Sequence, residues 1–304
     1  MISKSLQVKN LLLATLVVFF LASGCGGDEK SKTEEETETT KTDSDTSNST
    51  LLTVNGELFS IPSPIQTAIL IKQVGSNYNK EMLNPAENIS SYSTKFQKAL
   101  NLGVYGGDLG YVTIYDQTQD ALSYLQSVRK IADELGIMGA FDKTLIDRFE
   151  KNMGNKDSIL VLVSDAYRAS DSYLKNNDKD DVGVLILAGG WIESAYFATT
   201  VAKQTKNKEL IKRIGEQKKS LENLIKLLSP YYKEKEEFTS LIDSLIKLAE
   251  EFDAIQYTYV YEKPTVDIAN KTTTINSKTE ITISEQQIDV ISNKIQLIRN
   301  QIVG

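Results

Sequence analysis

The sequence predicts a mostly α-helical body, a multi-helix bundle of antiparallel helix hairpins with a small β-hairpin excursion near residues 256–283. Three observations carry this expectation. Apolar residues recur at three- and four-residue steps through most of the chain beyond Leu51, the spacing of one helix face. Between Tyr257 and Ile283 the period drops to two, and threonine and isoleucine dominate, as in half-buried strands. Proline, glycine and short polar residues fall where helices should start and stop.

The chain opens on Lys4 and Lys9, followed by an apolar run from Leu11 to Ala22. Such a run is shorter than the roughly 20 residues that span a bilayer and reads as the core of a signal peptide, residues 1–24. Leu21-Ala22-Ser23-Gly24-Cys25 resembles the lipobox cut by lipoprotein signal peptidase, with Ala22 standing where that pattern prefers leucine. The resemblance implies lipidation of Cys25 and a membrane partner reached through that lipid. Two or three acyl chains would hold stably, where one would hold weakly. Residues 28–50 alternate acidic side chains with threonine and serine and contain no apolar residue before Leu51. They cannot bury enough surface to order, so residues 25–50 read as a flexible acidic tether, of which residues 28–50 span about 26 Å. Gly26 after the cysteine resembles the enterobacterial rule for outer-membrane sorting, and the acidic run resembles surface-export tethers of Bacteroidota-type bacteria.

Residues 51–304 read as a single helical domain. Val54-Asn55-Gly56-Glu57 suggests a tight turn between short extended pieces. Ser63-Pro64 places a cap and a first helical residue, and Gly75 a stop. A second helix should begin near Asn88 and carry Ile89, Tyr92, Phe96, Ala99 and Leu100 on one face. Ala121 to Leu135, closed by Gly136, is strongly amphipathic. Leu145, Ile146 and Phe149 mark a shorter helix, and Asp157-Ser158 can cap another to about Lys175. Asp180 or Asp181 should cap a helix running to about Lys203. It is apolar nearly all round, which places it centrally, and Glu193 and small polar residues argue against a membrane span. Two long helices over about 207–228 and 233–254 flank Pro230 as an antiparallel pair. Ser284-Glu285-Gln286-Gln287 is a capping-box start for a last helix lined by Ile288, Ile291, Ile295, Ile298 and Ile302.

Composition excludes much chemistry. There is no histidine and one cysteine, Cys25, so histidine-based acid–base catalysis, internal disulfides and cysteine–histidine zinc sites are all ruled out. Net charge is −7 with a pI of about 5.0, against a nucleic-acid partner. Asp178-Lys179-Asp180-Asp181 starts like a calcium loop, but its twelfth position is Gly189 where glutamate is required. The cluster Gly103-Val104-Tyr105-Gly106-Gly107 lacks the lysine of a phosphate loop. No cofactor and no metal are expected.

The residues left as candidates are few. Gly106, Gly107, Asp108 and Glu193 could form a polar or backbone site inside apolar helices. Close helix packing and a buried carboxylate contact to lysine or tyrosine are the alternative. Tyr257, Tyr259 and Tyr261 share one strand face and could stack a glycan, meet a partner or border the core. The stretches Ala99–Leu109 and Val184–Glu193 resemble uncharacterised, mostly helical lipoproteins of Bacteroidota-type bacteria over about residues 59–228. The resemblance implies a compartment and carries over no functional residue. The expected role is a non-catalytic scaffold or accessory subunit of an envelope complex, on an outer-membrane lipid anchor. The alternative is a lipoprotein capturing a glycan or peptide in a tyrosine-lined groove. A carboxylate hydrolase is the third reading.

Overall fold

The organising feature of the fold is a pair of helices whose backbones touch. We describe it from a computed structural model covering residues 49–304, apart from 55–56, 63, 141–142 and, between 153 and 178, all but 155, 158, 161, 162, 165, 173 and 176. Cys25, the signal-peptide segment and the acidic tether through residue 48 lie outside the described residues; Ser49 and Thr50, expected as the flexible end of that tether, instead pair in a strand with Pro62 and Ile61.

Helix α1 (Pro64–Gln73) ends two residues before Gly75, whose φ of +83° turns the chain. A long segment then runs to α2 (Lys95–Ile114). It holds only short 3₁₀ turns at Lys80–Met82 and Ala86–Ser91. The expected start near Asn88 is thus corrected to Lys95. Thr94 and Gln97 form a capping box, which satisfies two of the orphan N–H groups that Asn88 would leave open. The glycine-rich stretch sits inside α2 rather than following a helix.

Helix α3 (Thr118–Glu134) returns antiparallel to α2, stops at Gly136 with φ of +65°, and is followed by α4 (Lys143–Asn152). The helix expected from Asp157 to Lys175 falls mostly outside the described residues; Ser158, Val161, Leu162, Asp165, Tyr173 and Asn176 are helical. Helix α5 (Asp180–Thr205) is central. Asp180 and Asp181 stand in its first turn, not at its cap, which is Lys179. There they still favour the helix's positive end. By length and composition α5 could cross a membrane, and it is the one such helix among the described residues. The expectation that its composition excludes a span is therefore corrected. What places α5 in the core is burial, at 78% of its most apolar stretch.

The helix expected over 207–228 is two, α6 (Lys208–Gly215) and α7 (Lys218–Leu228). A Cβ on Gly215 would stand 2.6 Å from Ile281 Cγ2 and 2.9 Å from Ile283 Cδ1, so the break lies where the β segment presses on the helix. Helix α8 (Glu236–Asp253) pairs antiparallel with α7, and α9 (Glu285–Val303) packs antiparallel on both α8 and α5. The Ser284–Gln287 capping box starts α9, and all five isoleucines of its expected stripe are buried.

Three two-stranded antiparallel pairings occur among the described residues. Strand β1 (Ser49–Val54) pairs antiparallel with β2 (Glu57–Pro62); the centre of the turn expected at residues 54–57, residues 55–56, lies outside the described residues. Between α8 and α9, β3 (Gln256–Val260) pairs with β6 (Lys278–Thr282), and β4 (Thr265–Asp267) with β5 (Thr272–Thr274) farther out along the same arm. The mostly helical fold with a β excursion is as the sequence predicts.

The most extensive contact is between α2 and α5, which run parallel. Chain direction permits this because α3 brings the chain back toward the start of α2, and Lys179, just before α5, donates to the Leu135 and Gly136 carbonyls at the end of α3. A Cβ on Gly103 would overlap the Ile186 carbonyl, and one on Gly189 would overlap the Leu100 carbonyl. Gly103 stands to Ile186 as Gly189 stands to Leu100, so the crossing is locally two-fold. Only glycine lets two backbones approach this closely. Gly106, one turn along, faces open space.

These positions predict opposite outcomes. Gly103→Ala or Gly189→Ala should cost about 3 kcal/mol or more, because the obstacle is backbone and cannot rotate away. Gly106→Ala should stabilise by up to about 1 kcal/mol through helix propensity. Thermal and urea unfolding of the three variants measures the contrast.

Candidate functional site

Where α2 and α5 part from the glycine crossing, each turns one carboxylate inward. Asp108 on α2 and Glu193 on α5 are both fully buried. They meet because Gly107 is small: a Cβ there would already stand 3.3 Å from Glu193 Cβ and Cγ. Helix α9 supplies the counter-charge. Arg299 donates from Nε to Glu193 Oε2 at 2.7 Å and from Nη2 to Oε1 at 2.8 Å, the bidentate arrangement that suits guanidinium to carboxylate. Arg299 Nη2 also donates to the Met82 carbonyl at 2.9 Å, and the Tyr196 ring lies 4.3 Å from the guanidinium carbon.

The segment between α1 and α2 closes the site, and polar side chains hold it in place. Asn84 is buried; its backbone N–H donates to Asp108 Oδ2 at 3.3 Å. Asn84 Nδ2 donates to the Tyr92 hydroxyl at 2.9 Å and to Asn101 Oδ1 at 3.3 Å. Tyr124 donates to the Asn84 carbonyl, Tyr105 to the Pro85 carbonyl and Tyr115 to the Ser76 carbonyl. The Tyr111 hydroxyl accepts from the Asn79 N–H. Backbone that is neither helix nor strand thus finds partners inside the protein, as buried polar groups require. Asn101 Nδ2 donates to the Ile302 carbonyl at 2.8 Å and Tyr92 to the Val303 carbonyl at 3.3 Å. The first ties the carbonyl end of α9 to α2, and the second ties it to the segment just before α2.

The electrostatics follow from a count. Two carboxyl groups and one guanidinium share a dry site, so full ionisation would leave a net buried negative charge. Asp108 Oδ1 is buried and receives no N–H or O–H from the described residues. Burial first, and then the charge of Glu193, push the Asp108 carboxyl well above its ordinary value of 3.8, with Arg299 only partly offsetting them. Burial and the facing carboxylate thus favour the protonated form of Asp108. Burial alone would lower the pKa of Arg299, but Glu193, through charge and hydrogen bonding, raises it above the ordinary arginine value. The surrounding phenols are pushed up chiefly by burial, Tyr115 to about 12.

The structure thus brings Gly107, Asp108 and Glu193 together and leaves Gly106 facing outward. The polar contact expected for these carboxylates exists, but its partner is arginine rather than lysine or tyrosine. Arg299, Asn84 and Asn101 went unremarked in the sequence. Arg299 was legible: it lies four residues after Ile295, on the apolar face of the last helix, where an unpaired charge would be costly. The cavity beside Trp191 and the surface cleft beside Lys95 are lined by other residues. What this centre does is hold two carboxyl groups against one guanidinium and clamp three helices together.

The strand tyrosines lie elsewhere. Tyr257 is half-buried, donates to the Gly215 carbonyl at 2.9 Å and packs under Lys218 Nζ at 5.3 Å. Burial pushes its phenol up to about 12. Tyr259 and Tyr261 are exposed, the latter just beyond the end of β3. No group of three or more potential metal ligands occurs among the described residues. Searches of family models, curated proteins and solved structures found no match. They lend no support to the lipoprotein resemblance.

Two predictions follow from the charge count. Because the folded state keeps a proton on Asp108 that the unfolded chain releases above about 3.8, stability should fall as pH rises above that value, until the raised native pKa is reached. Asp108→Asn keeps the shape and needs no proton. It should raise the unfolding midpoint at pH 7 and flatten the decline that sets in as pH rises above about 4. Glu193→Gln or Arg299→Met strands a buried charge and should cost about 3–5 kcal/mol, read from urea denaturation.

Proposed function

We propose that the chain is a lipoprotein, anchored through Cys25, whose helical body serves as a non-catalytic scaffold or accessory subunit of an envelope complex and meets its protein partner through the β arm between α8 and α9. The observation that carries this reading is the arm. Every residue from 261 to 275 is exposed, and Ile268 at the tip is 86% exposed. Tyr259, Tyr261, Val266 and Ile275 are also large, apolar and exposed. A two-stranded hairpin that leaves its own body is marginally stable in water, and exposed apolar area on this scale marks contact surfaces. Beyond the arm, the buried charges are internally paired, which favours a structural role over catalysis. The lipid anchor rests on the signal-like run, the lone cysteine and the acidic segment after it.

Two experiments test the two halves separately. Cys25→Ala should abolish lipid labelling and move the protein out of the membrane fraction; a variant that stays membrane-bound and labelled would sink the anchor. A photo-crosslinking residue placed at Tyr259 or Ile268 should capture one discrete envelope protein, whereas the same probe at Glu250, exposed on α8, should not. Tyr259→Ser combined with Ile268→Ser should cut recovery of that partner about tenfold or more. Equal capture from both positions, or none, counts against the arm.

A further inference from the structure

The chain has a single tryptophan, Trp191, and it stands on the opposite side of α5's local environment from the charged centre, beside a small cavity. Its indole Nε1 is buried and has no acceptor among the described residues. The cavity has a volume of about 20 Å³, and Thr67, Ser194, Thr199, Phe252 and Ile295 contribute to its wall. Holding one water needs about 10–15 Å³ and two to four polar neighbours. A drug-sized ligand needs a space at least about ten times larger.

We infer that this cavity is a binding site for one internal water, held by Trp191. The indole N–H donates to the water oxygen. The water's own protons need acceptors, and the wall offers them. Ser194 already donates its proton to the Gly190 carbonyl at 2.7 Å, and Thr199 donates to the Ala195 carbonyl at 2.8 Å. Both hydroxyl oxygens therefore keep lone pairs for an incoming donor. Ser194 stands one turn from Trp191 on α5, Thr199 lies about two turns from Trp191, and all three side chains line the same small cavity. Arg213 and Gln217 also border the cavity, which raises a small anion as the competing occupant. Arg213 is instead engaged by Glu216 at 2.8 Å, and Gln217 Nε2 donates to the Arg213 carbonyl. An anion would also face the two hydroxyl lone pairs, whereas water accepts from the indole and donates to the hydroxyls.

The single tryptophan makes the test specific, because a ¹⁵N-labelled full-length chain in detergent gives one indole resonance. A rotating-frame experiment should show a cross-peak from the indole proton to water, with the sign of a long-lived neighbour rather than of proton exchange. Absence of that peak overturns the proposal. Replacing chloride by a bulky organic anion should leave the resonance unmoved; a saturable shift on returning chloride would assign the site to an anion and overturn it. Ala198→Ile, which grows a side chain into the cavity, should remove the cross-peak while the helical circular dichroism stays. A folded variant that keeps the peak would place the water elsewhere and overturn the site. Should that variant fail to fold, the wild-type cross-peak and the chloride arm still decide.

Discussion

At one crossing in this protein two peptide backbones touch, and the rest of the described core is arranged around it. At Gly103 and Gly189 the helices α2 and α5 have no side chain between them. That contact fixes their separation along the whole crossing. One turn further, Gly107 passes beside Glu193, and two carboxyl groups are brought into one dry space. Opposed acids in such a space require a proton, a cation or both. Arg299 provides the cation, which requires α9 to lie in this groove, and Asp108 keeps the proton. The sequence of causes therefore runs from missing Cβ atoms to helix spacing, to charge, to the placement of the last helix.

The tyrosine content follows from the same arrangement. The segment between α1 and α2 is too irregular to satisfy its own backbone, yet it covers the charged centre and is itself buried at Met82, Leu83 and Asn84. Tyrosine suits this place because one side chain fills the core with its ring and serves a carbonyl with its tip. Rings such as Tyr111 and Tyr115, with centroids 4.7 Å apart, pack against each other while their hydroxyls reach different points of the covering segment. Phenylalanine would fill the volume and leave the backbone groups without partners.

Local features of this fold were legible in the chain. Pro64, Gly75, Gly136 and the Ser284–Gln287 box mark ends that the structure keeps, because caps depend on a few adjacent residues. The isoleucine stripe of α9 and the β-branched arm were also readable from period alone. What escaped depends on distant partners. The break at Gly215 reflects Ile281 and Ile283 more than sixty residues away in sequence. The start of α2 at Lys95 was lost to an apolar pattern that begins earlier than the helix does. The parallel course of α2 and α5 rests on a contact that periodicity cannot express. At the candidate site, the buried acids could be read from their apolar neighbours, whereas the identity of their cation required knowing where the last helix packs.

The β arm leaves the body at a place where the chain has no need to travel. Gln287 at the start of α9 donates to the Ala254 carbonyl just past the end of α8 at 2.8 Å, so the two helices that flank the arm already meet. An ordinary short turn would connect them, since antiparallel helix pairs are commonly joined by two to eight residues. The arm is thus a graft on a complete helical hairpin. Such an element can change its length and its tip with little consequence for the core, so its sequence is free to diverge toward new contacts while the body that carries it stays constant.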